Sequence, residues 1–455
     1  MTTAAAVPIE KGHPRGLYLL FSVEMWERVQ YYGMRAFLVL YLVDASRGLG
    51  WTQGQALSFY GWYTATVYLT PVLGGWLADR YLGQRLSVIL GGTLMMFGQF
   101  LCALKSVPLL YLAFVFLVVG NGFFKANIAT MVGQLYRAGD PRRDSAFTIF
   151  YMGINLGGMI GPLICGTLAE TVDWSLGFAS AGLGMGLGVL IFTALKGRLL
   201  GDVGRLGYEQ RKSAAGAVVK APLTREEKDR VIVIFVLSLF VIFFWAGFEQ
   251  VGGLMNLFIK GKVDRLVLGH QIPATTFQSV NGFLILVFAP LFAMLWPWLA
   301  ARGRQPSTPA KMASGLVLLS AGFVFLVAAA RQVELAGKAS PLWIVGALLL
   351  HTLGELALSP VGLSMVTKLA PKAYASALMG VWFLANMGGN KLAGMIGSLG
   401  ERYGEFSVFL GLAVGSAAAG LLLFALAGTL QRMTHGAEQV TDAPPAPAGK
   451  PATAS

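Results

Sequence analysis

A chain of 455 residues that is 55% hydrophobic and only 13% charged cannot clothe soluble domains in enough polar surface, so it is predicted to live in hydrocarbon, with charge confined to loops and a few interior sites. The same composition excludes disorder, collagen and a disulfide scaffold, and the two cysteines, Cys102 and Cys165, lie inside apolar runs, so no structural disulfide is expected. A net charge of +13 suggests nucleic acid, but the distribution of the basic residues argues against it.

Apolar runs long enough to cross a core of ~30 Å predict spans near residues 17–43, 54–79, 86–104, 108–133, 145–169, 174–195, 230–258, 275–300, 312–330, 342–367, 373–398 and 405–430. The expected fold is an all-α integral membrane protein of twelve transmembrane helices in two six-helix bundles. Residues 1–16 form a polar cytoplasmic lead, and the hydrophobic stretch after them contains Glu24, Glu27 and Arg28, which a cleaved signal peptide would not. The first bundle covers 17–195, a basic cytoplasmic linker 196–229 and the second bundle 230–430. A Pro/Ala-rich tail, 431–455, is expected to be disordered. Lys and Arg number 23 in the tails and even-numbered connections against eight in the odd-numbered ones, so both termini are predicted to be cytoplasmic. The basic excess is therefore topology, assisted by anionic lipid, and no nucleic-acid partner is expected.

The second-to-third connection runs Gly75, Trp76, Leu77, Ala78, Asp79, Arg80, then Gly83 and Arg85, with a weak echo at Leu299–Arg304 in the second half. It resembles the signature loop of the major facilitator superfamily. Asp79, Arg80 and Arg85 are expected to form a cytoplasmic latch, with Asp79 accepting hydrogen bonds at a helix end and the glycines permitting a tight turn.

An ionised side chain in hydrocarbon costs roughly 2.5–3.5 kcal/mol even on the lenient insertion scale. The spans hold four acids, Glu24, Glu27, Glu249 and Glu355, and four bases, Arg28, Arg35, Lys125 and Lys391, which need partners across a cavity. Glu24, Glu27, Arg28, Tyr31 and Arg35 share one face of the first helix. Carboxylates whose pairs form and break with conformation can load and release protons.

The segment Glu24, Met25, Trp26, Glu27, Arg28, Val29, Gln30, Tyr31, Tyr32, Gly33 resembles the ExxERFxYYG signature of the proton-coupled oligopeptide transporters, a family within the major facilitator superfamily. Similar family patterns follow in order: GNGFFKANI at 120–128, FYMGINLGG at 150–158, FWAGFEQ at 244–250, GELALSPVGLSMVTKLAP at 354–371 and GVWFLANMGGNKLAG at 380–394. Val29 replaces the signature Phe, and Ala126 replaces the proline usual after the fourth-span lysine, which should alter bending there. Bacterial members often carry an extra helix pair between the halves, but this linker has no apolar run for one.

The resemblance implies that Arg28 and Lys125 receive a peptide carboxylate, with Tyr31 and Tyr68 lining that pocket. It implies that Asn155 contacts the backbone or amino end and that Glu355 faces the ammonium. Trp245, Trp382 and Asn386 are further candidate lining, and Glu249 looks like the proton-responsive acid that pairs with the first-helix arginine until protonated. Glu24, Glu27, Arg28, Glu249 and Glu355 are the expected proton-coupling set. His351, one turn from Glu355, could relay protons, though a lone histidine is more often a packing residue. Lys391 is expected at an extracellular helix end, and Pro360 could hinge the tenth span beside the site.

The implied function is proton-driven symport of di- and tripeptides across a plasma membrane, in a bacterium the inner one, with protons and no cofactor or obligate protein partner. A carrier of nitrate or another small anion is the alternative. No GxxxxGK[ST] nucleotide loop occurs, and His13, His270, His351 and His435 are too scattered for a metal centre, so an enzyme is not expected.

Overall fold

The computed structural model of the protein describes residues 12–137, 140, 142–206, 222–371 and 374–437. Before the linker come α1 Arg15–Val43, α2 Gln53–Thr66, α3 Thr70–Leu77, α4 Gln84–Cys102, α5 Val107–Gln134, α6 Arg142–Gly161, α7 Thr167–Thr171 and α8 Trp174–Leu199. After it come α9 Arg225–Phe248, α10 Leu254–Lys262, α11 Phe277–Ala300, α12 Thr308–Ala336, α13 Pro341–Leu369, α14 Ala375–Ser398 and α15 Gly400–Met433. A two-stranded antiparallel hairpin, β1 Leu266–Val267 with β2 His270–Gln271, joins α10 to α11 and adds a small β element to the expected all-α fold.

Nine helical runs among the described residues are long and apolar enough to cross a membrane by length and composition. Three further segments are needed for the expected twelve spans. They are α1, which carries four interior charges, the interrupted α2–α3 run, and the 24-residue α14, whose length at 1.5 Å per residue suffices for a bilayer core. Helix α8 runs on to Leu199, and α9 starts at Arg225 behind a Thr224/Glu227 capping box, so helix intrudes on both ends of the expected linker. The 25 residues between them are too few for two more spans of ~20 residues each. Residues 1–11, 207–221 and 438–455, on which the lead, linker and tail expectations largely fall, lie outside the described residues.

Helix α1 is buried over most of its length because α6 offers it a surface without side chains. A Cβ on Gly161 would stand 2.6 Å from the Val29 carbonyl oxygen and 2.8 Å from the Gly33 nitrogen, and one on Gly157 would stand 2.6 Å from the Arg28 Cβ. Gly161→Val is therefore expected to push α1 off α6 and cost on the order of 1–3 kcal/mol or more. A loss of monodisperse protein, or a fall in Tm by scanning fluorimetry, checks this.

Three expected continuous spans are interrupted. In the second, residues 67–69 form a turn between α2 and α3, and α5 satisfies polar groups near it: Asn121 Nδ2 donates to the Val67 carbonyl at 2.9 Å, and Thr70 Oγ1 to the Val118 carbonyl at 2.8 Å. In the fifth, Pro162 opens a π-helical turn ahead of α7. In the seventh, α9 ends at Phe248, a 3₁₀ turn covers Glu249–Val251, and Gly252 and Gly253 separate it from α10. Non-helical backbone at membrane depth is tolerated where it lines a cavity or is buried in protein, so the breaks in the second and seventh spans, at Tyr68 and Glu249, are candidate site positions. Cys102 and Cys165 are both free, buried thiols.

Candidate functional site

Helix α1 brings two ion-paired groups to the seam between the halves. Arg28 is buried, with Nε 3.3 Å from Glu24 Oε1 and an ion pair to Glu27. Lys125, from α5, places Nζ 3.6 Å from the same Glu24 oxygen and keeps 38% of its side chain exposed, so an opening reaches this group. Two carboxylates and two cations thus form a cluster with no formal net charge. The Arg28 guanidinium carbon lies 5.0 Å from the Tyr31 ring centroid and 5.8 Å from that of Tyr32.

Two turns along α1, Arg35 NH2 lies 2.8 Å from Glu249 Oε2, and NH1 donates to Oε1 at 3.3 Å. The expected partner of Glu249 was the signature arginine of α1, and the structure corrects this: Arg28 is held by Glu24 and Glu27, while Arg35, absent from the predicted site set, takes Glu249. The 3₁₀ turn at 249–251 redirects the seventh span toward α1 and gives Arg35 its fork-to-fork partner. Tyr32 sits between the two arginines, 5.6 Å from the Arg35 guanidinium carbon. Tyr68 occupies the break between α2 and α3.

Across the seam, Glu355 of α13 is half-buried and meets no cation within 4 Å among the described residues. Its Oε2 accepts from Asn281 Nδ2 of α11 at 3.1 Å, and the same Asn281 amide reaches Thr352 Oγ1 at 3.0 Å. Asn281 was not anticipated; its signal was an amide in the first turns of an apolar span.

The other candidates are placed as follows. Asn155 is buried and its amide donates to the Tyr151 carbonyl at 2.9 Å, so it turns inward only by giving up a backbone bond. Asn386 likewise donates to the Trp382 carbonyl at 2.8 Å, and Trp382 is seated in the notch left by Gly362. Trp245 packs edge-on against Phe248, and its buried indole nitrogen has no hydrogen-bond partner among the described residues. The His351 ring lies 4.8 Å from that of Phe323 and abuts Gly322, with no bond to Glu355. It packs between α12 and α13. Lys391 lies 4.0 Å over the Trp62 ring of α2, so it bridges the seam as well as sitting on a span.

The expected latch is differently wired. Asp79 is exposed and accepts from Gln84 Nε2 at 3.4 Å, and Arg80 lies exposed beside Trp76 and Tyr81. Arg85 turns away from both and donates to the Val203 and Gly201 carbonyls at 2.7 Å each, tying this connection to the end of α8. Gly83, at φ +73°, supplies the left-handed turn before α4.

At the end opposite the termini the halves are tied together. Asn256 Nδ2 and Gln278 Nε2 both donate to the Ala36 carbonyl, at 2.7 and 3.1 Å, beside the Arg35–Glu249 pair. Toward the end that carries the termini, a cavity of about 830 Å³ opens between Tyr151 of α6 and the second half, with Trp296, Lys311, Leu356, Pro360 and Lys368 on its wall. Leu356 and Pro360 lie next to Glu355 on α13, so the cavity adjoins the acid. The arrangement sets a paired cluster of carboxylates and cations in the first half and, in the second, a carboxylate without a cation among the described residues.

The sequence profile of the POT family matches residues 85–198 and 209–406. The chain belongs to the POT family. A peptide transporter of Yersinia enterocolitica is 37% identical over 85% of this chain and 88% of its own length, and a di-/tripeptide transporter of Lactococcus lactis is 33% identical over 82% and 87%. The crystal structure of a POT peptide transporter in complex with sulfate superposes with TM-score 0.85 at 33% identity, covering 94% of this chain and 98% of that one. The POT fold is the major facilitator fold, so the protein is a multi-pass membrane transporter and not an enzyme.

Proposed function

We propose that the protein is a proton-driven symporter that brings di- and tripeptides into a bacterial cell across its plasma membrane, by alternating access about a site that holds both peptide termini. Bundles at 17–195 and 230–430 rock about the linker at 196–229, both termini are cytoplasmic, and α1, the α2–α3 run and α14 complete twelve spans. Protons are the only co-substrate, and no cofactor, nucleic acid or obligate protein partner is needed.

The observation that carries this reading is Glu355, a half-buried carboxylate of the second half, oriented by an amide and without a cation among the described residues, while Arg28 and Lys125 stand together in the first half. A zwitterion supplies the missing ammonium and, at its other end, a carboxylate for the cations. Glu24 and Glu27 occupy those cations, so peptide carboxylate and proton entry are linked: protonation of an acid releases a cation for substrate. Tyr31, Tyr68, Trp245 and Trp382 accept varied side chains by non-directional burial. A nitrate carrier would have no use for Glu355.

Labelled dialanine in proteoliposomes under an inward proton gradient tests the reading, with di- and tripeptides, free amino acids and nitrate as competitors. Competition by peptides alone is expected; nitrate competition without peptide uptake would replace it with the anion carrier. Asn281→Ala removes the bond that orients Glu355 and is expected to raise KM for dialanine about tenfold, the worth of one hydrogen bond to a charged group.

A further inference from the structure

Two glutamates outside the candidate site make the same contact in opposite directions across the seam. Glu170 lies in α7, where the fifth span ends in the first half, and is 9% exposed. Its Oε1 accepts from the Ala274 backbone N–H at 2.8 Å, the first amide of the helical run Ala274–Ala300, which is the eighth span in the second half. Lys260 Nζ and Arg265 NH1 each stand 3.5 Å from this carboxylate.

Glu401 opens α15 just after the eleventh span ends in the second half, and its Oε2 accepts from the Gly54 N–H at 2.7 Å, in the first turn of the second span in the first half. Thr52 and Gln55 exchange two N-terminal hydrogen bonds of α2, and Glu401 takes one of the amides they leave. A Cβ on residue 54 would stand 2.7 Å from that oxygen, which is why glycine serves there. Exchanging the halves turns one contact into the other: the acid after span five caps span eight, and the acid after span eleven caps span two.

We propose that Glu170 and Glu401 are a reciprocal pair of latches that hold the entrance on the face opposite the termini shut. Each carboxylate is drawn to the positive end of a helix in the other half, and opening this face strips both acids of amides and each helix of one acceptor for its first-turn amides. Glu170, with two cations beside it, is the stronger latch. The proposal rests on the alternating-access reading and adds two residues well removed from Arg28, Lys125 and Glu355.

Leu57 reports on the seam: it is 1% exposed, and its side chain meets Gly253 and Gly397 of the other half. With Leu57→Cys as the single thiol, on a Cys102→Ala, Cys165→Ala background in lipid nanodiscs, the rate of maleimide labelling measures opening. Glu170→Ala and Glu401→Ala are each expected to raise that rate at least about fivefold, the double variant more than either, and the Gln variants in the same order. Monodisperse variants labelled within about twofold of the parent would overturn the proposal. Should the Ala variants fail to fold, the Gln variants, which keep shape and lose charge, decide by the same criterion. No substrate enters this assay, so its failure leaves the peptide reading standing, and a failure of peptide uptake leaves the labelling result intact.

Discussion

Arg28→Ala is expected to abolish peptide uptake and to destabilise the protein by about 3–5 kcal/mol, the cost of removing one partner from a buried ion pair. The guanidinium is the direct partner of two buried carboxylates, Glu24 and Glu27, and Lys125 approaches only Glu24. Without Arg28, Glu27 loses the ion pair that the fold gives it, and the two acids repel one turn apart. Arg28→Lys keeps the charge and loses the two-pronged reach, so it should recover most of the stability and little of the uptake. Thermal melting alongside dialanine uptake separates the two effects. Wild-type uptake by the alanine variant would remove Arg28 from the site.

Glu249→Gln is expected to separate exchange from accumulation. The neutral amide imitates the protonated acid, so the Arg35–Glu249 pair, with its 2.8 Å contact, can no longer be made and broken by a proton. Peptide counterflow, which needs no gradient, should continue. Uphill accumulation should collapse: one charge crossing 100 mV is worth about 2.3 kcal/mol, or roughly fifty-fold in concentration. Paired counterflow and gradient-driven assays on one preparation read both. A variant that still accumulates peptide uphill would assign proton coupling to the Glu24/Glu27 cluster alone.

The architecture was legible because hydrocarbon imposes a simple rule: long apolar runs with charged connections are helices across the bilayer. Charges inside such runs are costly enough to mark candidate positions, which is why Arg28, Lys125, Glu249 and Glu355 stand out in the sequence. What the sequence hid was pairing between distant elements. Arg28 and Arg35 lie on one stripe of α1 with equal claims on Glu249, and only the 3₁₀ turn at 249–251 decides for Arg35. That turn had a signal in Gly252–Gly253, as the break before Thr70 had one in Pro71. Asn281 gave almost none, since one amide in an apolar span is as readily a packing residue as a ligand of Glu355. The Arg85 tie to the end of α8 was equally hidden, because its acceptors are backbone carbonyls, which every residue possesses.

The most direct test is competition against labelled dialanine by three ligands of nearly one shape: dialanine, its N-acetyl derivative and its C-terminal amide. If Glu355 receives the ammonium while Arg28 and Lys125 receive the carboxylate, each blocked form should compete at least about tenfold more weakly than dialanine. The loss should vanish selectively, the acetyl penalty in Glu355→Gln and the amide penalty in Lys125→Gln. Blocked and free dialanine competing equally well would contradict a site built on opposite charges.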